Sequence, residues 1–176
     1  SKLAEKIGHH RILTLNSGTS GLHLALHMVK NPVEGRPHFR DEVLTTAMTC
    51  TATNWAILAN GLRLRWADIE PTTGNVSATD LIARISERTL ALMVVHWGGL
   101  PCDLRGLASV QDECERRYGY RPPIIEDAAH AWGSTYESLP IGNPLDDGVL
   151  VGPLIDARAA DAMHAKCVER IIVTEL

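Results

Sequence analysis

Short apolar runs that suit buried strands alternate with helical patterns along the first 130 residues. The clearest run, Leu90 to Val95, has no polar position, as expected of a strand buried on both faces. The predicted strands are residues 11–15, 41–46, 62–67, 90–95 and 124–126, and the predicted helices are residues 22–29, 55–59, 81–86 and 104–118. This alternation predicts an α/β fold with a mostly parallel, doubly wound sheet.

Gly, Pro and small polar residues separate these elements. Residues 3–7 look like the end of a short helix, and residues 31–40, with two prolines and a glycine, are predicted to be a loop. Gly61 is predicted to follow a helix as its C′ glycine. Residues 71–75 are predicted to form a turn, and Thr79 or Asp80 could cap the helix after it.

One edge of the predicted sheet collects the candidate chemistry. Right-handed crossovers place the loops after Leu15, Thr46, Val95 and Glu126 at that edge. The first loop, residues 16–21, joins a strand to a helix and predicts an anion site, with Ser17, Thr19 and Ser20 as extra donors. It lacks the Walker and GxGxxG patterns, and an ordinary N-cap is the alternative.

Asp127 ends a buried strand at the same edge. A carboxylate desolvated there needs a cationic partner or several donors, and the pyridine nitrogen of pyridoxal phosphate (PLP) is one such partner. The alternative is that Asp127 caps the following turn or helix, which residues 124–131 alone would favour. A hydroxyl-rich loop (Thr45, Thr46, Thr49, Thr51, Thr53) and the sequence His96-Trp97-Gly98-Gly99 converge on the same edge, which favours a bound cofactor.

Composition narrows the class of protein. The 176 residues are 45% hydrophobic, which suits one domain with its own core. The net charge of −4 and the absence of a basic run give no sign of nucleic-acid or membrane partners. Without a leader pattern or a CxxC pair, a cytoplasmic protein with reduced thiols is expected. His23 and His27 could share a metal, but their leucine neighbours favour packing, so no metal site is predicted.

Several motifs in collinear order resemble the DegT/DnrJ/EryC1/StrS sugar aminotransferases, which are fold-type I PLP enzymes. The resemblance covers about residues 1–143. The matching segments are residues 17–26, 41–44, 49–53, 67–69, 94–99 and 126–133.

The resemblance implies a role for each matching site residue. Thr19 and Ser20, with the Gly18 backbone, would hold the PLP phosphate, and Asp127 would pair with the pyridine nitrogen. The other implied positions are His130 near the 3′ oxygen, Cys50 over the ring face where the family commonly has an aromatic residue, and His96 and Trp97 beside a sugar-nucleotide pocket. Relatives transfer an amino group from glutamate to a keto sugar nucleotide and work as homodimers.

One expected residue is missing from the pattern. After Asp127 the family supplies a Ser and then the Lys that forms a Schiff base with PLP, whereas the lysines here are Lys2, Lys6, Lys30 and Lys166. None stands in such a context, so the catalytic lysine is predicted to be absent and this chain alone to be inactive.

From Pro144 onward the sequence changes character. Residues 147–156, with a predicted helix at 157–170, resemble a short aldehyde dehydrogenase segment, although Asp156 could simply cap an amphipathic helix. We therefore expect a partial aminotransferase large domain at 1–143 and a divergent tail at 144–176, in a chain that looks cut at both ends. The tail is predicted not to complete the core.

Three functions stay open at this point. The chain could be the cofactor-binding part of a sugar aminotransferase, a module that holds PLP or a sugar nucleotide without turnover, or a non-functional truncated or fused product.

Overall fold

The computed structural model describes residues 12–30, 39–131, 133–141, 149–154 and 168–173. Four α-helices occur in these ranges: α1 (Gly18–Lys30), α2 (Thr51–Ala59), α3 (Ala78–Arg84) and α4 (Leu104–Tyr118). The strands are β1 (Ile12–Thr14), β2 (Glu42–Thr46), β3 (Arg63–Ala67), β4 (Thr89–Val95), β5 (Ile124–Asp127), β6 (Thr135–Tyr136), β7 (Leu139–Pro140), β8 (Val149–Leu154) and β9 (Val168–Val173). A 3₁₀ turn, Trp97–Gly99, follows β4.

Seven strands form one sheet in the order β1-β9-β8-β5-β4-β2-β3. All of the pairings from β8 to β3 are parallel, and β9 runs antiparallel to both β8 and β1. The strands β6 and β7 form a separate hairpin. The predicted α/β class and mostly parallel sheet are confirmed, and the carboxyl ends of β1, β2, β4, β5 and β8 open at one edge.

Helices cover both faces of the sheet. On the first face, residues of α1 and α2 pack on Val43, Met93 and Ile125. On the second face, residues of α3 and α4 pack on Leu44, Leu92 and Ile124. Alternate residues of β5 thus face opposite layers, and this alternation decides which way the residues at its end point.

Three helices begin earlier than the hydrophobic pattern predicted. Helix α1 starts at Gly18 rather than Leu22, because the Ser17 hydroxyl accepts a hydrogen bond from the Ser20 amide and caps the first turn. Helix α2 starts at Thr51 rather than Trp55, and α3 spans Ala78–Arg84 rather than residues 81–86. Helix α4 has its predicted bounds, 104–118.

The predicted caps of α2 and α3 had mixed outcomes. Gly61 follows α2 with φ +68° and donates to the Leu58 carbonyl, which confirms it as the C′ residue. The cap of α3 is Ser77, so the choice of Thr79 or Asp80 was wrong. Asp80 lies inside the first turn, where its carboxylate accepts from the Asp68 amide and from Arg84.

The tail enters the sheet, against the prediction that it would not complete the core. Strand β8 pairs with β5, and β9 joins β8 to β1. Both segments, 149–154 and 168–173, contain β-branched residues, which suit strands. Residues 168–170 are extended and not helical as predicted. Residues 157–167 of that predicted helix lie outside the described residues, as do residues 3–7 and 31–38.

Deleting residues 149–176 should therefore destabilise the domain. The deletion removes the partner strands of β1 and β5, and β5 carries Asp127. Unpaired strand edges favour association, so we expect oligomers in size-exclusion chromatography and a broad, low-temperature melt. A monomeric deletion variant with the melting curve of the full chain would contradict these pairings.

Candidate functional site

Asp127 is held at the carboxyl end of β5, on the face that α1 and α2 cover. The residue is 7% exposed. Its Oδ2 accepts a hydrogen bond of 2.7 Å from the Thr53 hydroxyl, and its Oδ1 accepts one of 3.1 Å from the Ala129 amide. The second bond shows that Asp127 does order the following turn, as the alternative reading held. Within the described ranges, no cationic side chain forms an ion pair with Asp127.

A row of hydroxyl groups leads to that carboxylate. Thr49 and Thr53 lie one turn apart, with their hydroxyl oxygens 2.9 Å from each other. Asn54, next to Thr53, bridges the Thr45 hydroxyl and the Thr46 carbonyl. The start of α2 is thereby fastened to the end of β2, which fixes where Thr53 meets Asp127.

The amino end of α1 opens at the same edge. The Ser17 carbonyl and hydroxyl accept from the amides of Gly21 and Ser20. The amides of Gly18 and Thr19 find no acceptor within the described part of the chain, as is usual for the first turn of a helix. Free amides at a helix N-terminus attract anions, and α1 lies across β9, β8 and β5. Its first turn and Asp127 therefore belong to one face.

His96 is completely buried, and both of its ring nitrogens are occupied. Nδ1 accepts from the Cys102 amide at 3.0 Å, and Nε2 lies 2.9 Å from Glu126 Oε2. Its predicted place beside a substrate pocket stays a prediction. Any effect of His96 on a ligand must pass through the groups that it contacts.

Trp97 packs between a turn and His130. The ring centroids of Trp97 and His130 are 5.6 Å apart, with their planes at 62°. On the other side, a Cβ at Gly74 would come within 2.7 Å of the indole, and Gly74 has φ +73°. Asn75 accepts from the Trp97 amide and donates to the carbonyls of Leu100 and Pro101. The predicted turn at 71–75 thus supports the loop that carries Trp97.

The cysteines near this edge differ in exposure. Cys50 is exposed, immediately before α2, and its side chain caps nothing. The position of Cys50 over the face of the PLP ring stays a prediction. Cys102 is buried, and burial together with the nearby Glu126 carboxylate raises the pKa of its thiol to about 12. The Cys102 thiol therefore stays protonated and serves packing, with its sulfur 3.2 Å from the Val95 carbonyl.

The structure brings together some of the predicted residues and adds others. Asp127 and the start of α1 share a face, and Trp97 contacts His130. Thr53 was predicted only as one member of the hydroxyl-rich loop, although its spacing of one helical turn from Thr49 was a visible signal. Glu126 and Asn75 were not predicted as site residues. Among the described residues, no group of three His, Cys, Asp or Glu side chains could hold a metal ion.

The sequence profile of the DegT/DnrJ/EryC1/StrS aminotransferase family matches residues 1–149. The chain belongs to this family. The match ends a few residues beyond Asn143, where the family resemblance was predicted to end. The likeness of the tail to aldehyde dehydrogenase stays a prediction.

Solved structures of similar proteins agree with the family assignment. AtS13 from Actinomadura melliaura is 46% identical, with a TM-score of 0.79, over 86% of this chain and 39% of that one. The sugar aminotransferase CalS13 from Micromonospora echinospora is 39% identical, with a TM-score of 0.83, over 99% of this chain and 44% of that one. This family member thus has the α/β fold of the fold-type I PLP-dependent aminotransferases.

A curated relative is also similar over most of the chain. MJ1066 of Methanocaldococcus jannaschii, described as uncharacterized, is 35% identical over 136 residues, which cover 77% of this chain and 32% of the relative. The chain therefore spans less than half the length of the relatives it matches. Among the described residues, no helix is long and apolar enough to cross a membrane.

Proposed function

We propose that this chain forms the cofactor-binding part of a PLP-dependent aminotransferase that acts on a keto sugar nucleotide. Asp127 is the main support for the proposal. Its carboxylate is buried and receives two neutral donors, Thr53 and Ala129. No cation pairs with it within the described ranges, although a buried charge is costly without one. A protonated pyridine nitrogen is a partner of the required charge.

The two ends of PLP match the two polar groups on this face. The amides of Gly18 and Thr19, with the hydroxyls of Thr19 and Ser20, would hold the phosphate at the start of α1. Asp127 would hold the ring nitrogen, and His130 and Cys50 would lie beside the ring. The donor set at one end and the acceptor at the other therefore fit the cofactor.

When bound, PLP supplies an electron sink for a carbanion at the carbon that bears the amino group. The negative charge of Asp127 would keep a proton on the ring nitrogen, which strengthens that sink. Thr53 donates to one carboxylate oxygen and Ala129 to the other, so the group cannot rotate freely. Burial keeps competing water away from Asp127 and makes the ion pair stronger.

Relatives of this family indicate the substrate class. DesI, 28% identical with a TM-score of 0.75 over 98% of this chain and 39% of that one, was solved with its TDP-sugar product. Spr1654 from Streptococcus pneumoniae, 25% identical with a TM-score of 0.76 over 99% of this chain and 44% of that one, was solved in its PMP form. We accordingly propose a keto sugar nucleotide as acceptor, glutamate as donor, a cytoplasmic homodimer as the assembly, and Trp97 beside the sugar.

A second candidate is a module that binds PLP without turnover. Turnover needs a lysine that can reach the cofactor. Lys30 is exposed at the end of α1 opposite the proposed anion site, and its Nζ donates to the Asn60 carbonyl. It therefore cannot reach a ligand held at the start of α1. Lys2, Lys6 and Lys166 lie outside the described residues.

Calorimetry with pyridoxamine phosphate tests both candidates, because this ligand needs no lysine. We expect it to bind more tightly than either pyridoxamine or inorganic phosphate, since it engages both ends of the site. Ser20→Ala should weaken pyridoxamine phosphate by about 2 kcal/mol, the order expected for one hydrogen bond to a charged group, and leave pyridoxamine unchanged. Ser109→Ala, on the exposed side of α4, is the control. Pyridoxamine phosphate that binds no better than phosphate would refute the proposal.

A further inference from the structure

Glu126 and Asp127 are neighbours in β5 but point to opposite faces of the sheet. Ile125 belongs to the cluster under α1 and α2, and Ile124 to the cluster under α3 and α4. Since side chains alternate along a strand, Asp127 lies with the first layer and Glu126 with the second. There the Glu126 carboxylate meets Nε2 of His96 at 2.9 Å.

The tautomer of His96 follows from its other contact. Nδ1 accepts a hydrogen bond from the Cys102 amide, so it carries no proton. In the neutral imidazole the proton then lies on Nε2, which donates to Glu126. The ring thus holds two segments in fixed positions, the end of β5 and the loop that returns to Cys102.

The backbone of His96 adds a third connection. Its amide donates to the carbonyl of Asp127 at 3.1 Å. One residue therefore holds Glu126 through its side chain and Asp127 through its main chain. On the opposite face, Thr53 holds the Asp127 carboxylate.

We propose that His96 and Glu126 form a positioning pair that fixes the end of β5, and through it the direction of the Asp127 carboxylate. A twist of the strand at residue 126 would swing Asp127 away from Thr53, and the His96–Glu126 bond resists that twist from the other side of the sheet. His96 does not touch the ligand in this role. The expected effect on PLP binding rests on the proposed function, whereas the expected effect on the direction of the Asp127 carboxylate does not.

Two substitutions of His96 separate its two hydrogen bonds. An asparagine oxygen can replace Nδ1 as acceptor for Cys102 but cannot reach Glu126. A glutamine amide can replace Nε2 as donor to Glu126. If the pair positions Asp127, His96→Asn should disturb the site and His96→Gln should largely preserve it. Glu126→Leu, which removes the acceptor, serves as a second disturbing variant if His96→Asn does not fold.

The first measurement needs no ligand. Amide hydrogen exchange reports the bond from Ala129 to the Asp127 carboxylate, and the Val43 amide in β2 serves as the reference for global opening. We expect exchange at Ala129 about tenfold faster in His96→Asn, the size of one hydrogen bond, with Val43 unchanged and with both rates near wild type in His96→Gln. Equal acceleration at Ala129 and Val43, or equal behaviour of the two variants, would overturn the proposal.

The second measurement uses pyridoxamine phosphate and inorganic phosphate as probes. His96→Asn should weaken the first about tenfold and leave the second unchanged, because Asp127 faces the ring and not the phosphate. If no form of the chain binds pyridoxamine phosphate while Ala129 exchange responds as expected, the positioning pair stands and the proposed cofactor function fails. Equal loss for both probes would show a merely structural role and refute the pair.

Discussion

Replacing Asp127 with alanine should abolish binding of pyridoxamine phosphate to this chain. Removal of one partner of a buried, hydrogen-bonded ion pair costs about 3–5 kcal/mol. The remaining contacts to the phosphate cannot make up for a loss of that size. The substitution also frees the hydroxyl of Thr53 and the amide of Ala129, which both donate to the carboxylate. Isothermal titration calorimetry of the variant beside the wild type measures the effect.

Two further variants test whether the charge of Asp127 accounts for the loss of binding. Asp127→Asn keeps the shape of the side chain and one acceptor oxygen for Thr53 but removes the charge. Its affinity for pyridoxamine phosphate should therefore fall between those of the wild type and Asp127→Ala. Asp112→Asn removes a charge from the exposed side of α4, where Asp112 pairs with Arg121, and should leave binding unchanged. Equal affinity for wild type and Asp127→Ala would show that the ligand does not use this carboxylate.

The 176-residue chain should show no transaminase turnover with glutamate and keto sugar nucleotides. Transamination needs an amine that captures the cofactor aldehyde, is displaced by the substrate and then moves a proton. Contacts to the phosphate and ring nitrogen are made in the ground and transition states alike, so they cannot replace that amine. Lys30 is held at the far end of α1 by the Asn60 carbonyl.

Borohydride reduction after incubation with PLP, followed by peptide mapping, tests this prediction together with a turnover assay. The expected result is substoichiometric label spread over several lysines and no product. Lys30→Arg should remove only its own share of the label and leave the binding of pyridoxamine phosphate unchanged. Stoichiometric label on one lysine together with turnover would contradict the prediction.

The sheet and the edge that carries the candidate site could be predicted from the sequence because both depend on local patterns. The wholly apolar run 90–95 predicts a buried strand, and the observed strand is Thr89–Val95. An acid at the end of such a strand is conspicuous, and Asp127 does end β5 as predicted. Helix α4, with its amphipathic pattern and its Asp103 cap, also has the predicted bounds.

Contacts between distant segments could not be predicted in the same way. Thr53 donates to Asp127 across 74 positions of sequence, and no period in either segment encodes that encounter. His96 looked like a residue at an exposed edge, but its burial depends on how the loop to Cys102 folds back over it. The prediction for the tail was wrong because a departure from the family's sequence pattern need not change the structure. The β-branched residues of 149–154 and 168–173 suit strands without that pattern.

The position of β9 has a consequence for the order in which the protein can fold. Strand β1, which leads into the turn at Gly18, pairs only with β9 among the described strands, with Ile12 and Ile172 as register partners. During synthesis the β2–β5 region can assemble from contacts that are already available, but β1 must wait until residues 168–173 have left the ribosome. Long-range pairing of this kind slows folding. Nascent chains should therefore acquire a protected Asp127 strand before the turn at Gly18 is held beside it.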